Sequence, residues 1–229
     1  MGIHKSRSRA KSPFRLRTAC DQHHAPRVRL NRREGVRRPG GLRLTASALH
    51  ALEAVNFALG DFAGVSANLV TGRKEVRVAD EGITIPVTVA DQVSVTGTLR
   101  GGAAVSVFYR GGFSRGDNLR WEINGTEGDL VLTAPGIDGN LQVADLRLEG
   151  GRGGDTTVAE ITVPDGYFNS VPRALAGPPQ NVAQTYAHLA KDLREGTHTV
   201  PGFAHALERH LLVDAIERAS QSGSTQPLA

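Results

Sequence analysis

The sequence holds one cysteine, one tryptophan and one methionine among 229 residues. Cys20 alone excludes an intramolecular disulfide and any multi-cysteine zinc site. No apolar run approaches the roughly 20 residues that a transmembrane helix needs, and no signal-peptide core precedes a cleavage site. These absences point to a protein of the cytoplasm with no membrane partner. Acidic side chains are scarce in one region only. Residues 1–43 carry 13 Lys and Arg against Asp21 and Glu34, a net +11, whereas residues 44–229 carry 14 basic and 21 acidic side chains, a net −7. The basic balance of the whole chain therefore belongs to a tail, which argues against a basic nucleic-acid-binding domain.

Residues 1–40 form that tail. RSRAKSPFRLR and HHAPRVRLNRREGVRRPGG are dense in Arg, Ser, Pro and His, and such a composition offers too little apolar surface to offset ordering costs of about 1–2 kcal/mol per residue. The expectation is a disordered segment. Nucleic-acid binding, an anionic membrane surface or an organelle address are the functional alternatives for it. Arg outnumbers Lys 23 to 4, the bias of a GC-rich coding sequence.

The remaining stretch of about 185 residues suffices for one domain with a sizeable core. In LTASALHALEAVNFAL, Leu52, Val55 and Leu59 share a helical stripe, Ser47 is a candidate N-cap and Gly60 a candidate C-terminal stop. Strand patterns follow at 62–71, 92–100 and 103–111, the last two joined by Gly101-Gly102. Further strands are expected at 119–123, 129–134, 141–150 and 156–164. Two helices close the chain, one ending at Gly196 and one starting after Pro201-Gly202, with Phe203, Leu207, Leu211 and Ala215 as its core-facing stripe. The pattern predicts an α+β fold: a mostly antiparallel open sheet with helices on one face over 41–220, then a disordered C-terminus over 221–229.

Chemistry-bearing motifs are few. No dinucleotide fingerprint, phosphate loop, zinc-helix motif or nucleophile elbow occurs. One constellation remains, His50-Ala51-Leu52-Glu53, whose His and Glu sit one helical turn apart on one face. A carboxylate beside an imidazole can hold its tautomer and make it a general acid or base near neutral pH. The same spacing also describes an ordinary solvated surface pair. Trp121 and Tyr109 are candidates for ligand contact, although residues in alternating strands more often pack in a core. His188, His198, His205 and His210 suit surface or interface positions.

These residues resemble a family. GGLRLTASALHALEAVNFALGDFAGVSA looks like the start of the C-terminal half of Gfo/Idh/MocA oxidoreductases, and in particular of its galactose-repressor-like branch. Leu44-Thr45, His50, Leu52 and Leu59-Gly60 match, while Glu53 stands for the usual aspartate and Leu49 for a glycine. DQVSVTGTLRGGAAVSVFYRGG, LRWEINGTEGDLVLT and the two closing helices resemble later parts of the same half. The resemblance implies a substrate-binding and oligomerising domain for a sugar or polyol, with His50 as the acid/base group and Glu53 and Trp121 toward substrate. It implies a homo-oligomer built through the sheet. NAD or NADP binds in the full family to a preceding Rossmann domain, joined by a Glu-Lys-Pro motif that this sequence lacks. The expectation is that this chain alone binds no cofactor and no metal and performs no nicotinamide chemistry. A non-enzymatic regulator or binding module of the repressor-like branch is the alternative. The resemblance begins near Gly40, where composition changes. A GC-rich gene read upstream in the wrong frame would produce such a junction, and so would a truncated paralogue with a new basic tail.

Overall fold

The computed structural model describes residues 14–20, 47–77, 82–111, 115–134, 140–168, 171–172, 175 and 177–228. An Ala- and Leu-rich segment without a β-branched run forms α1, Leu49–Leu59. Ser47 does not cap it: Ala48 occupies the N-cap without a side-chain hydrogen bond. The helix stops at Gly60, whose φ of 93° suits a residue without a Cβ and whose N–H donates to the Asn56 carbonyl.

The strands are β1 (Phe14–Cys20), β2 (Phe62–Val70), β3 (Glu75–Arg77), β4 (Thr84–Pro86), β5 (Gln92–Leu99), β6 (Ala104–Gly111), β7 (Leu119–Asn124), β8 (Gly128–Ala134), β9 (Arg147–Arg152), β10 (Ala159–Glu160) and β11 (Gln226–Pro227). Nine of them form one sheet in the order β10-β9-β8-β7-β1-β6-β5-β2-β11, and β3 pairs with β4 apart from it. Every neighbouring pair in the described sheet is antiparallel except β1 with β6. The α+β expectation holds, with α2 (Gly177–Glu195) and α3 (Phe203–Ser222) closing the chain.

Alternation decides the faces. Val93, Val95 and Leu99 on β5, Val105, Val107 and Tyr109 on β6, and Trp121 on β7 point to one side and are buried with Leu52 and Val55 of α1 and Leu212, Ala215 and Ile216 of α3. The register places Val95 opposite Val107 and Trp121 opposite Leu132, so same-face apolar residues stack across strands. Gly97 is needed where β2 shifts register between Phe62 and Gly64: a Cβ there would lie 2.3 Å from the Gly64 carbonyl oxygen. The other face carries Ser94, Thr96, Ser106 and Phe108, together with the ion pairs Arg120–Glu122 and Arg147–Glu149.

Several expectations are corrected. The stripe Phe203, Leu207, Leu211 does not face the core. These residues are 97%, 62% and 53% exposed, and Leu212, Ala215, Ile216 and Ala219 make the contact instead. Helix α3 is apolar on both sides, so period alone could not choose between them. The strand expected at 141–150 starts only at Arg147, because the Asn140 carbonyl accepts from the N–H groups of Val143 and Ala144 and holds a turn. The strand expected at 156–164 shrinks to Ala159–Glu160. Two further segments contain strands. Phe14–Cys20 lies between β6 and β7, while the rest of 1–40 lies outside the described residues. The C-terminal residues continue α3 to Ser222 and then add β11 to the edge of β2, with Leu228 N–H donating to Ala63. An exposed sheet edge offers unpaired N–H and C=O groups to any extended segment, whatever its side chains.

Candidate functional site

His50 lies in the first turn of α1 and is exposed. Glu53, one turn later, does not serve it. No hydrogen bond or ion pair joins the two among the described residues, and the Glu53 carboxylate turns to α3. Its Oε1 is 2.6 Å from His205 Nε2, and its Oε2 is 3.5 Å from Arg209 Nε. Arg209 then donates from Nη2 to Asp61 at 2.7 Å, just beyond the end of α1. Glu53, His205, Arg209 and Asp61 thus form a chain of charge that ties α1 to α3. Arg209 is only 8% exposed, so its carboxylate partners hold a charge that burial would otherwise leave largely uncompensated.

Trp121, expected toward substrate, is in the core: it is 6% exposed and packs within the cluster beneath α1 and α3. Tyr109 is buried in the same cluster, and its hydroxyl donates to Asn140 Oδ1 at 3.3 Å. Of the candidate residues, only His50 is exposed for ligand contact. Sequence reasoning missed the role of His205 and Arg209. Their spacing of four residues, which sets both on one side of a helix, was the available signal. Their partners lie roughly 150 residues away, so nothing in the sequence named Glu53 or Asp61.

A second polar centre fixes the turn after α2. Asp192 accepts hydrogen bonds from the Thr197 and Thr199 hydroxyls and from the N–H groups of Thr199 and Val200. The Thr197 hydroxyl, followed by the other three donors, holds this carboxyl well below the usual carboxylate range, while burial acts in the opposite direction. Its donors are all local, so the centre is an anchor for the α2–α3 link.

No group of three or more His, Cys, Asp or Glu capable of holding a metal occurs among the described residues. Nor is any helix of the described residues long and apolar enough to cross a membrane. Among the described residues no strand runs through a glycine-rich turn into a helix N-terminus, the feature that seats a pyrophosphate.

The resemblance to a Gfo/Idh/MocA C-terminal half implied an open, mostly antiparallel sheet backed by helices, and the described sheet has that form. Residues 36–134 match the family of the Gal80p C-terminal domain. Solved structures extend the likeness to nearly all of the chain. Levoglucosan dehydrogenase in its apo form superposes with a TM-score of 0.74 at 22% identity, over 94% of this chain and 58% of that one. An oxidoreductase domain protein from Kribbella flavida gives 0.73 at 24%, over 94% and 58%. A super-repressor mutant of Gal80p from Saccharomyces cerevisiae gives 0.68 at 18%, over 94% and 57%. At such identities the likeness establishes the fold. The chain spans a little more than half the length of these structures. None of the curated proteins matches the sequence significantly.

Proposed function

We propose that this chain is the substrate-binding and subunit-contact half of an NAD(P)-dependent oxidoreductase acting on a sugar or polyol, and that it performs no redox chemistry alone. The observation that carries this reading is the outer face of the helix layer. Phe57 is 90% exposed, and with Phe203, Leu207 and Leu211 it leaves large apolar side chains of α1 and α3 uncovered. Apolar surface of this kind marks a face that a partner covers in the working assembly. His50 and Phe57 are seven residues apart and project from the same side of α1. A domain seated on Phe57 therefore closes over His50 as well.

In this reading His50 exchanges a proton with a substrate hydroxyl. Glu53, bound to His205 and Arg209, is a positioning residue that locks α1 on α3 and so fixes where His50 points. The dinucleotide comes with the covering domain. The polar sheet face opposite the helices makes the homo-oligomer contact, and the assembly works in the cytoplasm. Titration with NADH and NADPH is expected to give no saturable binding, and stoichiometric binding would overturn the reading. Gel filtration is expected to show an oligomer; a well-folded monomer removes the sheet-contact part.

The match of residues 36–134 to the Gal80p C-terminal domain family favours a second reading, a regulator that uses the same apolar face for a protein partner. The imidazole NMR signal of His50 separates the two. Saturable shifts with a panel of monosaccharides and polyols support the oxidoreductase half, and silence across the panel supports the regulator.

A further inference from the structure

Two imidazoles border Glu53. His50 precedes it on α1 by three residues, about 4.5 Å along the helix axis. His205 reaches it from the first turn of α3, with Nε2 2.6 Å from Oε1. This second imidazole is held in place. The other Glu53 oxygen, Oε2, is enclosed and lies 3.5 Å from Nε of Arg209. Arg209 is itself buried and donates from Nη2 to Asp61 at 2.7 Å. The carboxylate is therefore fixed from behind, and it fixes the ring in front of it. That ring is not buried in return, since the His205 side chain is 38% exposed.

Surface ion pairs between two mobile side chains hold no fixed geometry and contribute little. Here one member is anchored on a buried guanidinium, so the imidazole keeps one orientation. A carboxylate that orients a histidine in this way prepares the far nitrogen of the ring for contact with a hydroxyl. With Nε2 committed to Glu53, that nitrogen is Nδ1. In the neutral ring Nδ1 accepts a hydrogen bond, and in the protonated ring it donates one. A hydroxyl satisfies both forms. A carboxylate ligand would satisfy only the second, and it would approach Glu53 at close range.

We propose that His205 is a second hydroxyl-contacting residue of the His50 site, with Glu53 as its positioning residue. The ligand is then a sugar or polyol whose separate hydroxyls meet His50 and His205 on either side of Glu53. This inference rests on the His50 reading of the proposed function. The test is NMR titration of the whole chain with sorbitol, following the ring nitrogen signals of both histidines, with ethanol as the single-hydroxyl control. Millimolar sorbitol is expected to move the His50 signals and His205 Nδ1 with one common midpoint, and ethanol to move neither. His205→Leu, shown to be folded by its Tm, is expected to bind sorbitol about tenfold more weakly, the worth of one polar contact. His205→Gln keeps an N–H for Glu53 and an oxygen for the ligand, and it is expected to recover most of that loss. A residue that only tied α1 to α3 would leave its Nδ1 signal unmoved. The proposal is overturned if His50 responds to sorbitol and His205 does not, an outcome that leaves the proposed function standing. Silence of both histidines removes the two together. Undiminished binding by folded His205→Leu also overturns the proposal.

Discussion

On α3, Ile216 and Leu212 lie against the sheet while Phe203 and Leu207 stand in solvent, although all four are comparably apolar. The inner pair meets Leu52 and Val55 of α1 and the valines of β5 and β6. The outer pair shares its exposure with Phe57 of α1. A helix that is apolar on both sides is suited to being covered on both sides; the first side is the core of this domain, and under the proposed function the second is its contact surface.

The contrast can be broken or sharpened by substitution. Ile216→Ala should have the largest effect, a loss of about 2–5 kcal/mol in urea unfolding, because it leaves a cavity in the packed layer. Glu53→Ala comes next, at about 1–3 kcal/mol, since His205 loses its hydrogen-bond partner and the buried Arg209 loses one of its carboxylate neighbours. A loss well under that would mean that the seam charges do not hold the two helices together.

Asp192→Asn tests what sets the start of α3, and a smaller fall in Tm at neutral pH is expected. The folded-state carboxyl titrates below its ordinary value of 3.8. Its stabilisation is therefore fully present above that value and is lost as pH falls through it toward the lower folded-state value. The Tm gap between the two proteins should be constant from neutrality to mild acid and close only below about pH 4; a gap that closes near neutrality would contradict the assignment. Phe203→Ser should have the smallest effect on stability, within about 0.5 kcal/mol in urea unfolding. If it costs as much as Ile216→Ala, the two sides of α3 are not different in kind.

Strands with strict alternation were legible. Gln92–Leu99, Ala104–Gly111 and Leu119–Asn124 lie within a residue or so of where their pattern puts them, because period-two burial is written into consecutive residues. Where the pattern was mixed, as in residues 141–164, local turn bonds from Asn140 decided instead. Phe14-Arg-Leu-Arg also alternates, but in a segment so rich in Arg that composition masked it; its strand pairs with residues about 90 and 105 positions away. The candidate site was half legible. His50 stands out by its motif, and the structure adds that it is exposed in the first turn of α1. Glu53 bonds to His205 rather than to His50, because one helical turn makes neighbours on a surface but does not say which way a carboxylate swings.

By itself the sequence determined the three helices, the strictly alternating strands β5, β6 and β7, where α1 stops, and that one face of the sheet is apolar, since each follows from residues within a few positions of one another. Only the tertiary structure decided that Trp121 is core, that Glu53 belongs to His205, and which apolar side of α3 is left open. Those outcomes depend on pairings between distant segments, where burial against one surface excludes burial against another.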